Sequence, residues 1–553
     1  MEQNCKKCAQ KFILEKDDLS FYEKMKVPNP KVCPDCRFKM RAMWRNETNL
    51  YSGRKCDMCQ KAIITMYNPK SPYTVYCYDC FYSEKWEPRD YAMDYDKNKT
   101  FMEQLKELLL KVPKINLGIS SGDGENINSE YVNMAGGCKN CYLVFNTSPA
   151  EETLYSRGVK YGMDSSDIYF GVSFERCYEC INVQESANVL WGQNVSGCVD
   201  SAFILNGSGL TNCFGCVNLR NKSNCFFNEQ LSTDEYQKRI KEIKGSYQKT
   251  EEARKKFIEF SKTFPRRADN NLKIVNSSGD YLSECKNVQH SFEVAKGENS
   301  RYIFSSKMTK DSLGTIGFGT KSEQLLEVVA TGYSNNVIGS YWSENCSNIL
   351  NCFDIRNCRD CVGCDALKNG KYAILNKEYT KEEYEKLRGH IIKELVEQEF
   401  YGLMMPLELA PFAYNETIAQ DNIPMTKEEV LRAGFRWEDD IQKTERKETL
   451  KPEEIPDHIR DVRDSITDEI LACIDCKRNY KITKQELLFY RKIVLSIPRK
   501  CFYCRHQNRV LRRGSFHFFI RKCSNCGEDT QTNLTEQTAP IMYCRKCYQQ
   551  EVI

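Results

Sequence analysis

Sixteen cysteines near the two ends of the chain are spaced for metal chemistry. Cys5, Cys8, Cys33 and Cys36 make two CxxC pairs, and Cys56, Cys59, Cys77 and Cys80 make two more. The same device closes the chain, with Cys473, Cys476, Cys501 and Cys504 followed by Cys523, Cys526, Cys544 and Cys547. The first tetrad recurs at an offset of 468 and the second at 467, with no gap inside either. A CxxC turn presents two thiolates from one knuckle, and two knuckles close a tetrahedral site that leaves no coordination position open. The spacing therefore predicts four structural zinc sites, about four zinc ions per chain. A dithiol redox pair is the main rival, and fixed repeated tetrads argue against it. Iron is the smaller rival, since four thiolates suit it as well.

Behind the second knuckle, Arg37, Arg41 and Arg45 align with Arg505, Arg509 and Arg513, and Arg512 adds a further cation. Four-residue spacing predicts that each trio shares one helical face. Such a face suits successive phosphates or a carboxylate surface. The bland alternative is a solvated face that offsets thiolate charge. Between the knuckles, Phe21 and Tyr22 align with Phe489 and Tyr490. They are read as the small core of a metal domain, with a base-stacking platform as the sharper alternative.

Other reactive patterns are scarce. None of the five histidines stands in an HExxH or HxE…CxxC setting, and there is no GxxxxGK[ST] loop. Gly314-x-x-Gly317-x-Gly319 is out of order for a dinucleotide site and reads as turn glycine. Asp164 and Asp167 are a carboxylate pair that glycoside chemistry could use, but turn-forming Asp is the favoured reading. Fourteen further cysteines between Cys138 and Cys364 do not resolve into regular tetrads. They are expected to pack as small buried groups in stacked corners, with extra metal sites kept open.

These residues need elements to hold them. The 553-residue chain calls for several domains. Its ends are basic and its middle acidic within a formal charge of only +4, so no general attraction to polyanions is expected. Thirty cysteines in so large a chain point to a reduced metalloprotein rather than a disulfide scaffold. With no leader-like start and no long apolar run, the cytoplasm is the expected compartment and no membrane partner is expected.

The expected order is tandem ribbons over 1–96, a packing helix over 97–117 and a first β-repeat lobe over 118–231. A helical connector at 232–269 leads to a second lobe at 270–379 and a helix at 380–400. A linker with short helices follows at 401–472, with a solvated mixed-charge run at 438–454, a short helix opened by Thr426-x-x-Glu429 and a longer one from Ile459 to Leu471, before the second pair of ribbons at 473–553. Thr100-x-x-Glu103, Ser232-x-x-Glu235 and Thr380-x-x-Glu383 are capping boxes that open three of the helices. Short apolar runs, recurring at roughly 20 to 35 residues among Asn, Gly, Ser and Cys, suggest a β-solenoid. The lobes look duplicated: Cys213-Phe-Gly-Cys216 matches Cys361-Val-Gly-Cys364 at an offset of 148. The fold class is mainly β with some α.

Cys5, Cys8, Phe12, Phe21, Tyr22, Cys33, Pro34, Cys36 and Arg37 carry a resemblance to the zinc-ribbon domains of many bacterial proteins of unknown function. The whole chain is similar to uncharacterised bacterial proteins with ribbons flanking a Cys/Asn-rich repeat region. The C-terminal copy has Phe502 where Pro34 stands, which leaves the ligands untouched. The resemblance implies zinc binding and supplies no activity. The functional expectation is a scaffold, not an enzyme, that binds a macromolecule, with nucleic acid or a ribonucleoprotein ahead of protein. A protein-assembly module and a carbohydrate-active β-solenoid enzyme are the alternatives.

Overall fold

The computed structural model describes residues 1–119 and 124–552. The chain divides into two compact units that are not contiguous in sequence. One joins Met1–Leu117 to Asp269–Ile441, and the other joins Gly118–Ala268 to Gln442–Ile553. Each ribbon pair therefore shares a unit with the β region more distant from it along the chain. The expected eight-segment order misses this, because burial and charge pairing select partners without regard to chain proximity.

Each unit is built on a large mixed sheet, parallel through most of its length. In the second unit the sheet runs from Val132–Ala135 to Ser223–Phe226 and ends in an antiparallel strand, Glu229–Gln230. In the first it runs from Gly279–Ser283 to Lys371–Ile374 and ends in Lys377–Glu378. The step between paired strands is short: Arg157 lies beside Tyr169, Tyr169 beside Ile181, Ile181 beside Gln193 and Gln193 beside Leu205. That twelve-residue step replaces the expected interval of 20 to 35. Only some rungs carry a continuous apolar run, so the apolar pattern undersamples the ladder. One step in the first unit is a residue longer, pairing Leu313 with Leu326.

Twelve residues per rung require repeated sharp corners, which explains the composition. Asn182, Asn194, Asn206 and Asn218 all adopt positive φ, a conformation Asn tolerates better than most residues. Their amides then hydrogen-bond rung to rung at 3.1 Å. Other corners use a small donor. Thr153 donates to the carbonyls of Glu151 and Gly162, and Cys177 to those of Glu175 and Ser186. Cys198, Cys213 and Cys346 repeat the pattern. Thiol and hydroxyl are interchangeable here because the corner asks for one short donor. Where that corner faces Val183, Val189, Val195 and Ile204, the more apolar Cys fits better.

Helices close the stacks. Ser232 caps Thr233–Ile243 and Thr380 caps Lys381–Glu397, each hydroxyl accepting from the amide three residues on. The first does not run unbroken to Ser261: Gly245 adopts φ +91°, and a second helix covers Tyr247–Lys262. Thr100 caps Phe101–Lys111, whose Phe101 N–H donates to Glu394 at 2.7 Å. No helix among the described residues is long and apolar enough to cross a membrane.

The expected linker over 401–472 is packed in two places, whereas its mixed-charge run over 438–454 has no buried residue. Met404, Met405, Leu407, Phe412, Tyr414 and Ile418 are buried in the first unit. Ile455, Ile459, Val462 and Ile466 are buried in the second unit beside Leu487 and Tyr490. The longest run exposed throughout is 442–449. The run expected as a helix from Ile459 to Leu471 forms two short turns, Ile459–Asp461 and Asp464–Thr467. Proline and charge marked this region as open, but its apolar residues found cores to enter.

Candidate metal centres and the arginine faces

Each cysteine tetrad assembles on a hairpin followed by a helix start. Glu2–Asn4 pairs with Lys11–Ile13, Tyr51–Lys55 with Ala62–Thr65, Leu471–Ala472 with Asn479–Tyr480, and Phe519–Lys522 with Asp529–Thr532. The third cysteine of every set, Cys33, Cys77, Cys501 or Cys544, is the N-cap of a helix. In all four sets the sulfurs lie within 4.8 Å of one another, and these are groups that could hold a metal ion.

The spacing is informative. Cys8 and Cys33 sulfurs are 3.7 Å apart, Cys59 and Cys77 3.8 Å, Cys476 and Cys501 3.6 Å, and Cys526 and Cys544 3.9 Å. Four thiolates placed tetrahedrally around an ion at about 2.3 Å have edges of about 3.8 Å. A disulfide would bring sulfurs to about 2.05 Å, and all of these cysteines are free. Backbone amides point at the sulfurs: Cys33 N–H donates to Cys5, Cys77 N–H to Cys56 and Cys544 N–H to Cys523, each at 3.2 Å. Burial opposes the Cys56 thiolate, yet the amides of Cys59 and Cys77 draw its pKa down to about 7. Against the same opposition, the amides of Cys526 and Cys544 bring Cys523 down to about 6. Burial pushes Cys77, Cys80, Cys544 and Cys547 the other way, so in these two cages negative charge settles first on Cys56 or Cys523. The fourteen middle cysteines form no such group among the described residues.

The arginine faces do not stand where a surface-bound partner needs them. Arg37, Arg41 and Arg45 are each 1 % exposed, and Arg505, Arg509 and Arg513 at most 4 %; Arg512 alone is partly open. Arg45 also leaves the expected helical face, since the helix Pro34–Ala42 stops before it. The C-terminal helix Phe502–Arg513 does carry its whole set. Both faces turn inward onto carboxylates of their own unit.

In the first unit Glu327, 1 % exposed, accepts from Arg37 at 2.7 Å through one oxygen and from Arg41 through the other. Arg37 also donates to the Tyr22 hydroxyl at 2.6 Å. Arg45 pairs with Glu47 at 2.5 Å and lies over the Phe318 ring. Close approach is possible because the facing strand carries glycine. A Cβ on Gly317 would meet Arg45 Nη1 at 2.0 Å, and one on Gly314 would meet Arg41 Nη1 at 2.8 Å. The Gly314/Gly317 pattern is therefore a seat for arginines as well as a positive-φ turn.

The second unit repeats the lock with more carboxylate. Asp167 accepts from Arg505 at 2.9 Å and from Arg509 at 2.7 Å, and Glu179 accepts from Arg509 at 3.0 Å. Burial raises the cost of charge on Asp167, but the two guanidiniums outweigh it and hold the carboxyl below its ordinary range. Glu486 takes the Tyr155 and Tyr490 hydroxyls at 2.7 and 2.6 Å. Asp164 is paired with Lys492. Asp164 and Asp167 are thus committed to separate cations, not poised together across a groove. Of the aromatics between the knuckles, Tyr22, Phe489 and Tyr490 are buried, as the small-core reading requires.

Sequence reasoning missed the carboxylates, although a signal for them existed. Glu179 and Glu327 differ by 148, the same offset that relates the two β regions, and Asp18 and Glu486 differ by the ribbon offset of 468. Asp18 meets Arg301 at 2.8 Å. The duplication thus carried both halves of the lock.

No protein-family model and no curated protein matches the chain. Among solved structures, the chain is similar to a "putative acetyltransferase from Desulfovibrio desulfuricans G20" at 9% identity. That match covers 49% of this chain and 68% of the other with a TM-score of 0.11, which is too low to carry an argument about fold or activity.

Proposed function

We propose that the chain is a zinc-stabilised scaffold with no reaction of its own, acting as a protein-assembly module. In this reading the ribbons hold zinc, the twelve-residue ladders are β-solenoids, and each ribbon pair is fastened to a solenoid by buried arginines. Sulfur separations of 3.6 to 3.9 Å support zinc in closed four-thiolate sites, which leave no position for substrate. The prevailing twelve-residue step supports the solenoids. Free thiols throughout support a reducing compartment.

The observation that carries the choice of partner is the inward turn of the arginines. The nucleic-acid reading rested on Arg37, Arg41, Arg45, Arg505, Arg509, Arg512 and Arg513 as exposed grips, and of these Arg512 alone is partly open. With Glu327, Asp167 and Glu179 neutralising most of them, protein is the favoured partner. Metal analysis and filter binding of an RNA across a salt series test the proposal. Zinc near four per chain and no retention even at low salt are expected. Retention that strengthens as salt falls would overturn the choice, because phosphate contacts must behave that way.

A further inference from the structure

Within the first unit, a cleft of about 410 Å³ opens beside the helix Phe101–Lys111. Neither the metal sites nor the arginine lock uses it. Its size falls in the range of small-molecule sites, which pair an apolar wall with a few placed polar groups. Leu109, Leu407 and Leu409 supply a nearly buried wall, and Tyr73 adds a ring. Leu110, 37 % exposed, stands at the cleft although it is a large apolar residue.

The polar groups are unbalanced. Lys106 and Arg436 line the cleft against one carboxylate, Glu408. Arg436 is held in place because its Nη2 donates to the Ala410 carbonyl and, at 3.0 Å, to that of Phe412. Those bonds leave its other N–H groups for a further acceptor. Gly434 adds open space, since a Cβ there would meet nothing within 4 Å. A cation is disfavoured by Lys106 and Arg436, and a neutral alkane wastes both. We infer that this cleft is a binding site for a small apolar carboxylate, its chain against the leucines and its head between Lys106 and Arg436. The acid would be a ligand and undergo no reaction.

Titration calorimetry of the full-length, metal-loaded chain tests this, with octanoate as the probe and octylamine as the charge-reversed control. Saturable one-to-one binding of octanoate and none of octylamine is expected. Lys106→Met removes a cation that has no structural partner on its helix and should weaken octanoate about tenfold. Leu110→Trp, at an exposed position, should fill the mouth and abolish binding, while circular dichroism stays unchanged. Absence of saturable octanoate binding, equal binding of octylamine, or wild-type affinity in both variants would overturn the assignment. Because the cleft is separate from the ribbons and the arginine lock, its failure would leave the scaffold reading intact.

Discussion

Glu327→Gln is the sharpest test of the arginine lock. The substitution keeps size and shape but removes the carboxylate that pairs with both Arg37 and Arg41, with all three groups 1 or 2 % exposed. Removing one partner of a buried ion pair costs about 3–5 kcal/mol, since the remaining charge stays desolvated and unpaired. Glu179→Gln is an internal control at the duplicated position. There Arg509 keeps Asp167, and Arg512, which loses its 3.4 Å pair with Glu179, is partly open to water, so the cost is mainly one charge-assisted hydrogen bond, about 1.5–3 kcal/mol. A two-unit chain is a poor subject for a single unfolding curve, so hydrogen exchange resolved to segments is the better assay. Amides of the helix Pro34–Ala42 should exchange about 150- to 5,000-fold faster in Glu327→Gln, and those of Phe502–Arg513 about ten- to a hundredfold faster in Glu179→Gln. Exchange in Glu327→Gln within threefold of wild type would refute the lock. So would failure of a Glu327→Met, Arg37→Met, Arg41→Met triple variant to recover part of the loss, because an apolar replacement of a buried triad is often tolerated.

Three other outcomes follow from the same geometry. Burial pushes the Asp280 carboxyl up to about 7 despite hydrogen bonds from Asn270 and Tyr281. The folded state then holds a proton that the unfolded state releases near pH 4, so stability is greatest below that value and falls as pH rises towards 7, by ~4 kcal/mol at most. Hydrogen exchange of the Gly279–Ser283 amides, corrected for intrinsic rate, should show a smaller pH-dependent loss of protection in Asp280→Asn than in wild type across that window; equal losses would remove Asp280 as the cause. Gly317→Ala should destabilise the first unit by about 2–4 kcal/mol through its φ of +75° and the Arg45 contact, whereas Gly434→Ala, in open space, should show only the φ strain; segment-resolved hydrogen exchange compares them. Strong chelation should release the metal and make the sixteen ribbon thiols reactive to Ellman's reagent, leaving the fourteen corner thiols silent until denaturant is added. Reaction of many more than sixteen under native conditions would show that the middle cysteines are not buried corner donors.

How legible these features were depended on how local they are. A CxxC knuckle is complete within four residues and its partner knuckle follows at a nearby helix start, so Cys5 to Cys80 and Cys473 to Cys547 could be grouped by spacing alone. The caps at Thr100, Ser232 and Thr380 are equally local, being a side chain meeting an amide three residues on. The twelve-residue ladder was half legible: Asn and Cys announced corners, but the rung length hid because polar and apolar residues share the same register. Within 401–472 the packed stretches stayed hidden, since proline and charge describe a backbone's freedom and say nothing of which core residues such as Met404 and Leu407 can reach.

The sequence by itself determined four cysteine cages, their duplication and a β-rich middle built of corners, because ligand geometry and turn chemistry are written in near neighbours. Tertiary structure alone decided which β region each ribbon pair joins, and with it the meaning of the arginines. A row of guanidiniums reads identically whether it faces a phosphate backbone or Glu327, 290 residues from Arg37. The difference is made by desolvation: seated on Gly314 and Gly317 and paired inside a unit, those charges hold the fold together and are no longer available to grip a partner.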